Sequence, residues 1–394
     1  MSEGKSHKLV KAALLWCFCV FFLGTASEAG LTNRRGVNEP KVLAEFTIGR
    51  DGGPILVPVT FKGHRYLFLL DTGSSFMVFD TLFKHRLGEV RGTAKATTPG
   101  KEVTAEYFDA PEAFVGPLNI QDCHYVFCMD IERLDLIKDE RVSGLIGMNF
   151  LMKYAVQIDF DAGTVSFFEA EEGGNPEWGQ RFAIEDDSTL VPRIRGAVVS
   201  GIKTGFIIDT GWLDTGGLDR SVFEEIFSSQ ESKTEKALFL TLGGIVRERL
   251  IRTANLSVGP FEYEGQIFGS SNTSVLGLSF LSRHVVTFDF PNKTLYLQKG
   301  REFGRNDETD MSGLYLVRHS GRTKVYSVDV DSPADKAGIR AGDVIVEVGN
   351  KRASRYQIWQ LRQLFMSGHK RSIPITIKRD GDEKKVSLVL ERRI

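Results

Sequence analysis

The chain has little cysteine and almost no net charge, and both shortages exclude classes of function. It contains four cysteines, and two of them, Cys17 and Cys19, lie in an apolar N-terminal run. No second Cys or His pair accompanies Cys123 and Cys128, so we expect no metal site and no cofactor. After export these two residues could form a local disulfide, or they could be small hydrophobic residues on a strand. The formal net charge of −1 gives no reason to expect nucleic acid or an anionic membrane surface as a partner.

Two hydrolase motifs and long helical patterns are also missing. The sequence contains neither His-Glu-x-x-His nor Gly-x-Ser-x-Gly, so zinc-protease and serine-hydrolase functions lack support. Amphipathic helical patterns are scarce until the last quarter of the chain, whereas 40 Gly and 28 Phe residues accompany many short apolar runs. This pattern favours a β-rich body with many turns. The length of 394 residues suggests two or three domains.

Residues 1–29 have the pattern of an export signal. Basic residues up to Lys11 precede an apolar run from Ala12 to Leu23, and small residues follow. This is typical of a secretory signal peptide, with cleavage after Ala26 or Ala29. Because the run is short for a transmembrane helix, an uncleaved N-terminal anchor is the alternative. We expect an exported protein, periplasmic or extracellular, that touches a membrane only through this segment.

One short stretch occurs twice, and the rest of the chain is organised around it. The apolar runs Phe68–Leu70 and Phe206–Ile208 both end at an aspartate. The residues that continue the two copies are Asp71-Thr72-Gly73-Ser74 and Asp209-Thr210-Gly211. A carboxylate at the end of a buried strand is costly unless it is paired, so Asp71 and Asp209 are candidate catalytic residues. An aspartate that only caps a turn is the alternative.

Further landmarks recur in the same order in residues 40–168 and 181–298. In each segment the aspartate is followed by a hairpin, a Val-Gly-Pro turn and a hydrophobic-hydrophobic-Gly motif. The motif is Leu145–Gly147 in the first segment and Val275–Gly277 in the second. We interpret this order as an internal duplication. The first hairpin, residues 95–108, lies where a flap over a cleft would lie.

A duplicated half with one aspartate in each copy predicts a pseudo-twofold molecule whose two carboxylates meet at the axis. Two carboxylates that close cannot both ionise cheaply, so the pair holds one proton. The ionised member can take a proton from water while the protonated member donates to a carbonyl oxygen under attack. Gly73 and Gly211 would let backbone N–H groups approach the carboxylates. Thr72 and Thr210 would hydrogen-bond across the axis.

These motifs resemble the active-site loops of pepsin- and retropepsin-like aspartyl proteases. The resemblance rests on Leu69–Ser75, on Ile207–Gly211 and on the two hydrophobic-hydrophobic-Gly motifs. It implies a mainly β, bilobal, pseudo-twofold fold with a substrate cleft between the lobes. It also implies an aspartic-type endopeptidase with Asp71 and Asp209 as its dyad and a peptide or protein as its substrate. The residues that would support the active-site loops are Thr72, Gly73, Ser74, Thr210 and Gly211.

The second copy departs from the family pattern. Trp212 stands where the family usually has Ser, Thr or Ala, so a hydroxyl partner of the carboxylate is lost. Asp214 begins another Asp-Thr-Gly, but only Asp209 follows an apolar strand. A catalytically weak or inactive peptide-binding adaptor on a protease scaffold is therefore one alternative. A two-carboxylate glycosidase is another, although no aromatic platform for sugars favours it.

The C-terminal residues 311–394, which follow a charged segment that we expect to be a flexible linker, have a different pattern. Ser332–Ile345 resembles the signature of bacterial-type PDZ domains, which are small α+β domains. In such domains a peptide strand adds beside one strand and faces a helix, here predicted over residues 354–367 with a capping box at Ser354-x-x-Gln357. The residues that would line the peptide are Gly313, Leu314, Tyr315 and Leu316. The resemblance implies that the Gly313 and Leu314 N–H groups receive the carboxylate of a C-terminal peptide ligand; a module that binds nothing is the alternative.

Overall fold

The computed structural model describes residues 40–98, 101–132, 134, 141–185, 189–229, 234–241 and 244–394. The predicted export signal, residues 1–29, lies outside these ranges. Within them, no helix is both long enough and apolar enough to cross a membrane.

The first half of the body consists of short strands and one short α-helix. The strands are β1 (Val42–Thr47), β2 (Leu56–Phe61), β3 (His64–Leu70), β4 (Val78–Asp80), β5 (Val90–Thr98), β6 (Lys101–Asp109), β7 (Ala113–Val115), β8 (Leu118–Asn119), β9 (Tyr125–Met129), β10 (Val142–Ile146), β11 (Ala155–Asp159) and β12 (Thr164–Phe168). The helix is α1 (Met148–Leu151), and 3-10 turns lie at Thr81–Arg86 and Gln121–Cys123.

The second half repeats this series of strands. They are β13 (Gln180–Ala183), β14 (Arg193–Val199), β15 (Ile202–Ile208), β16 (Gly216–Asp219), β17 (Thr234–Thr241), β18 (Gly244–Arg252), β19 (Asn255–Val258), β20 (Phe261–Glu264), β21 (Ile267–Ser271), β22 (Val275–Leu276), β23 (His284–Asp289) and β24 (Thr294–Lys299). The helices are α2 (Arg220–Ser229) and α3 (Leu278–Leu281), and a 3-10 turn lies at Pro176–Trp178.

The order of the strands in the sheets shows the duplication directly. One nine-stranded sheet has the order β5-β6-β9-β4-β10-β3-β2-β7-β8, and the other has the order β17-β18-β21-β16-β22-β15-β14-β19-β20. The second order matches the first strand by strand along the chain, so each half folds in the same way.

A six-stranded sheet joins the halves, in the order β1-β12-β11-β23-β24-β13. This order reads the same from both ends when equivalent strands are exchanged, which is the signature of a pseudo-twofold axis between β11 and β23. These strands are antiparallel, and Gln157 pairs directly with Thr287, its equivalent in the gapless sequence alignment. The Gln157 amide also donates to the Thr287 hydroxyl (2.9 Å).

The core follows from the alternation of apolar residues along the strands. In β2 the inward residues Val57, Val59 and Phe61 are buried, whereas the residues between them are half-buried. In β3 the last three residues are all buried, so this strand enters the core as it approaches Asp71. Buried apolar side chains from both halves form one continuous cluster.

The C-terminal module has a sheet and a core of its own. Its strands are β25 (Leu314–His319), β26 (Arg322–Val328), β27 (Val344–Val348), β28 (Lys351–Arg352), β29 (Ser372–Arg379) and β30 (Asp382–Val389). Its helices are α4 (Pro333–Lys336) and α5 (Ile358–Phe365), and a 3-10 turn lies at Ala353–Arg355. The sheet order is β25-β26-β27-β29-β30, with β28 beside β27, so β25 is an edge strand.

Two local expectations for this region are wrong. The capping box of α5 is made by Gln357 and Gln360 instead of Ser354 and Gln357, because Ser354 lies in the preceding 3-10 turn. The segment in front of the module is not a flexible linker. Asp307 in its middle is only 4% exposed and takes part in several polar contacts with the second half.

Candidate active site

The two aspartates lie at the ends of equivalent strands. β3 runs parallel to β10, and the Asp71 N–H donates to the Ile146 carbonyl (3.1 Å). β15 runs parallel to β22, and the Asp209 N–H donates to the Leu276 carbonyl (3.0 Å). The hydrophobic-hydrophobic-Gly motifs therefore lie alongside the strands that carry the aspartates.

The glycine of each motif is required by close packing. A Cβ at Gly147 would overlap the Phe76 carbonyl, and one at Gly277 would overlap the Asp214 carbonyl. These carbonyls belong to the turns that follow the aspartates, which we call the first Asp loop (residues 71–77) and the second Asp loop (residues 209–215). Any larger residue would push a loop away from its strand.

The two loops are fastened to each other by threonine hydroxyls. Thr72 Oγ1 donates to the Ile208 carbonyl (2.6 Å) and accepts from the Thr210 N–H (3.0 Å). Thr210 Oγ1 donates to the Leu70 carbonyl (2.8 Å) and accepts from the Thr72 N–H (3.0 Å). Both threonines are buried. This reciprocal set fixes the two strand ends with respect to each other.

The carboxylates consequently lie side by side. A Cβ at Gly73 would overlap the Asp209 carboxylate, and one at Gly211 would overlap the Asp71 carboxylate. Each glycine N–H also donates to the aspartate of its own loop, to Asp71 Oδ1 (2.9 Å) and to Asp209 Oδ1 (2.8 Å). Both aspartates are half-buried, so solvent reaches them.

Burial raises the pKa of both carboxyl groups, and they differ in how their neighbours act. For Asp71, the negative charge of Asp209 raises the pKa further, well above its ordinary range. For Asp209, the Gly211 N–H, the Asp71 side chain and the Trp212 N–H donate hydrogen bonds that oppose the rise. The pair therefore favours one shared proton.

The residues after the two Asp-Thr-Gly sequences take different positions. The Ser74 hydroxyl donates to the Phe76 carbonyl (2.9 Å) and not to Asp71. The Trp212 ring packs on Gly217 and Gly277, and its Nε1–H has no partner among the described residues. Trp212 still donates its backbone N–H to Asp209 Oδ1 (3.2 Å). Trp212 therefore gives the Asp209 carboxylate a hydrogen bond from its backbone and none from its side chain.

Asp214 does not lie beside Asp71. Its Oδ1 accepts a hydrogen bond from Arg362 Nη2 of helix α5 (2.9 Å). Of the two candidate aspartates in the second Asp loop, the structure thus brings only Asp209 to the axis.

A buried ion pair under the second Asp loop was not apparent from the sequence. Asp307 Oδ1 lies 3.3 Å from Arg283 Nη2, and these side chains are 4% and 1% exposed. The Asp307 carboxylate also accepts from Thr215 Oγ1 (2.7 Å) and from the Ile267 N–H (2.8 Å). A charged segment between domains looks solvated in sequence, so only the fold could identify these residues.

The hairpins that could cover the cleft are β5–β6 and β17–β18. Their tips, residues 99–100 and 242–243, lie outside the described residues. Tyr107 of β6 packs against Tyr125 and Phe127, with ring centroids 5.5 and 5.9 Å apart. Tyr107 is therefore packed against aromatic side chains of the neighbouring strand.

Cys123 and Cys128 are both buried free thiols in this structure. No group of three or more His, Cys, Asp or Glu side chains in the described part of the chain is arranged to hold a metal ion.

The predicted peptide-binding loop of the C-terminal module is internally satisfied. The Leu314 N–H donates to Ser312 Oγ (3.0 Å), and the N–H and hydroxyl of Ser312 donate to Asp310 Oδ1. The Tyr315 hydroxyl donates to Asp329 (3.0 Å) and accepts from the Leu238 N–H of β17 (3.2 Å). Leu316 is buried in the module. Carboxylate binding at Gly313 and Leu314 stays a prediction, and it would require these contacts to rearrange.

Comparison with known families agrees with this arrangement. The family model described as "Aspartyl protease" matches residues 57–150, which include the first Asp loop. The model described as "PDZ domain" matches residues 324–379. The chain carries an aspartyl protease domain and a PDZ domain. The predicted order, with the aspartyl protease domain before the PDZ domain, is confirmed. The aspartyl protease domain points to a protease-type function.

The other comparisons add little. No curated protein matches the chain. A solved structure titled "photosystem II D1 C-terminal processing protease" is 23% identical over 20% of this chain and 22% of its own length. Its TM-score of 0.19 is too low for that likeness to bear on function.

Proposed function

We propose that the protein is an aspartic-type endopeptidase that hydrolyses peptide bonds with a water activated between Asp71 and Asp209. The observation that carries the proposal is the side-by-side position of two half-buried carboxylates at the ends of equivalent strands. Because they share a proton, one can act as a base while the other acts as an acid.

The different hydrogen bonds of the two carboxylates suggest a role for each. Asp209 receives N–H groups from Gly211 and Trp212, which stabilise its ionised form. It would accept a proton from the attacking water. Asp71, as the protonated partner, would donate its proton to the carbonyl oxygen of the peptide, and no covalent intermediate is needed. Expulsion of the amine then returns a proton from the dyad to the leaving nitrogen.

The PDZ domain would bring polypeptide substrates to the cleft or position them there. β25 is an edge strand of its sheet, and an edge strand offers unpaired backbone groups to an added peptide strand. We also propose export through residues 1–29, on the basis of their charge and hydropathy pattern. N-terminal sequencing of the mature protein after secretion would test this step.

The peptidase is tested by Asp71→Asn and Asp209→Asn, with Asp122→Asn, an exposed aspartate, as control. Cleavage of a mixed peptide library is measured across acid and neutral pH. We expect each dyad variant to lose at least about a hundredfold in kcat, since positioned acid–base groups contribute about 10²–10⁴-fold, and the control to keep its rate. Unchanged cleavage by either dyad variant would remove that residue from the mechanism.

The non-catalytic adaptor makes a different prediction in the same experiment. The presence of Trp212 where the family has a small residue is the observation that favours it. An adaptor would bind a statine-type peptide and leave the library uncut in the wild-type chain. The peptidase would bind the same mimic and be inhibited by it.

A further inference from the structure

One face of the PDZ helix α5 docks on both halves of the protease. Trp359, Arg362 and Gln363 occupy positions i, i+3 and i+4, which share one face of a helix. The opposite side of α5 carries Ile358, Leu361 and Phe365, which are buried in the core of the PDZ domain. The packing of α5 in the core of the PDZ domain therefore fixes the orientation of the docking face, which consists of Trp359, Arg362 and Gln363.

Two of the docking residues contact the first half. The ring of Trp359 lies against Gly53 so closely that a Cβ there would overlap it. The Gln363 amide donates to the Asp51 carbonyl (2.5 Å). Both contacts fall on the turn that precedes β2, so α5 is fixed to the first half at this point.

The third docking residue contacts the second Asp loop. Arg362 Nη2 donates to Asp214 Oδ1 (2.9 Å), five residues after Asp209. The backbone between them is short and closely packed, because the Trp212 carbonyl accepts from the Leu278 N–H (2.6 Å) and the Asp214 carbonyl packs on Gly277. Asp214 and Asp209 therefore belong to one closely packed loop.

We propose that Arg362 of the PDZ domain is a positioning residue for Asp209, acting through Asp214. This inference rests on the proposed peptidase function for its kinetic consequences, but not for its structural ones. The Arg362 and Asp214 side chains are 37% and 29% exposed. Half-exposed ion pairs add little to stability, so the contact sets geometry more than it stabilises the fold.

The role of Asp214 in this contact is specific to the second half. Phe76 holds the equivalent place in the first Asp loop, since its carbonyl packs on Gly147 as that of Asp214 packs on Gly277. Phe76 packs on Phe127 of its own lobe (ring centroids 4.8 Å apart). The PDZ domain thus contacts the second Asp loop through Asp214, whereas Phe76, at the equivalent place in the first loop, packs on its own lobe.

The test compares Arg362→Gln and Arg362→Lys with Arg355→Gln, a control at an exposed arginine of the same domain. All are made in the full chain. We expect Arg362→Gln to lower kcat about fivefold to twentyfold with KM changed less than twofold, and Arg362→Lys to recover part of the loss. The control should match the wild type.

A measurement independent of activity accompanies the kinetics. Hydrogen exchange of peptides that cover residues 207–216 should accelerate about tenfold in Arg362→Gln and stay unchanged in Arg355→Gln. If the wild type cleaves nothing, the peptidase proposal fails while exchange still decides the positioning role. Wild-type kcat and wild-type exchange in Arg362→Gln would overturn the inference.

Discussion

Replacing Thr72 by Val tests whether the two Asp loops hold each other. Valine has nearly the shape of threonine, so the packing around this buried position is preserved. The hydroxyl that is lost makes two hydrogen bonds to the other half, with the Ile208 carbonyl (2.6 Å) and the Thr210 N–H (3.0 Å). The change therefore removes two bonds and leaves two backbone groups without partners.

The magnitude follows from burial. A buried polar group that loses its partner costs about 1–3 kcal/mol, and two groups are affected. The added methyl group recovers up to about 1 kcal/mol of hydrophobic free energy. We expect Thr72→Val to lower the free energy of unfolding by about 2–4 kcal/mol. Thr210→Val should cost the same within about 1 kcal/mol, because its hydroxyl makes the equivalent bonds at 2.8 and 3.0 Å.

The assay is equilibrium urea unfolding followed by tryptophan fluorescence. Thr72→Ser keeps the hydroxyl and should retain most of the stability. Thr60→Val, at a half-buried position of β2, is the control for the Thr-to-Val change itself. Two unpaired groups predict a loss well above about 0.5 kcal/mol in the free energy of unfolding. A loss below about 0.5 kcal/mol for Thr72→Val would therefore refute the idea that the threonine hydrogen bonds hold the two loops together. A large loss of stability at only one of the two threonines would show that the two sets of hydrogen bonds are not equivalent.

Two further predictions concern buried titratable groups. Burial lowers the pKa of His284 from 6.5 to about 4, so the unfolded chain takes up this proton first as the pH falls. The wild type should lose about 3 kcal/mol of stability between pH 6.5 and 4 relative to His284→Leu; equal pH slopes in urea unfolding would contradict this. Burial also raises the pKa of Cys123 and Cys128 to about 11. At pH 8 the native thiols should react with iodoacetamide about a hundredfold slower than in urea; equal rates would show that they are accessible.

The positions of the aspartates could be predicted from the sequence because duplication repeats local rules. Asp71 and Asp209 each follow an apolar strand, and each of these strands is paired with a parallel partner that is followed by a glycine. These rules depend on nearest neighbours along and across one sheet. Gln157 and Thr287 are equivalent in the alignment of the two halves, and they are also paired across β11 and β23 at the axis. Each half of the sequence thus encodes the same part of a symmetric core.

The contacts between the protease and the C-terminal segment could not be predicted in this way. Arg283 and Asp307 lie in separate segments of the sequence. Neither segment contains a local signal that its charged side chain is buried. Asp307 lies in a charged stretch, which in most sequences would be solvated. Arg362 reads as a polar position of an amphipathic helix. Its partner depends on how the PDZ domain docks, which the amphipathic pattern does not specify.

The two Asp loops have the same backbone contacts but are supported from different directions. Met77, at the end of the first loop, is held by its own lobe, where its N–H donates to Asn149 Oδ1 (2.7 Å). Thr215, the equivalent of Met77, is held by Asp307, and beside it Asp214 is held by Arg362. Screening by salt weakens half-exposed charge pairs more than packing or buried hydrogen bonds. Added salt should therefore loosen the Asp214–Arg362 contact before any contact of the first Asp loop, while the buried threonine hydrogen bonds keep the two aspartates side by side.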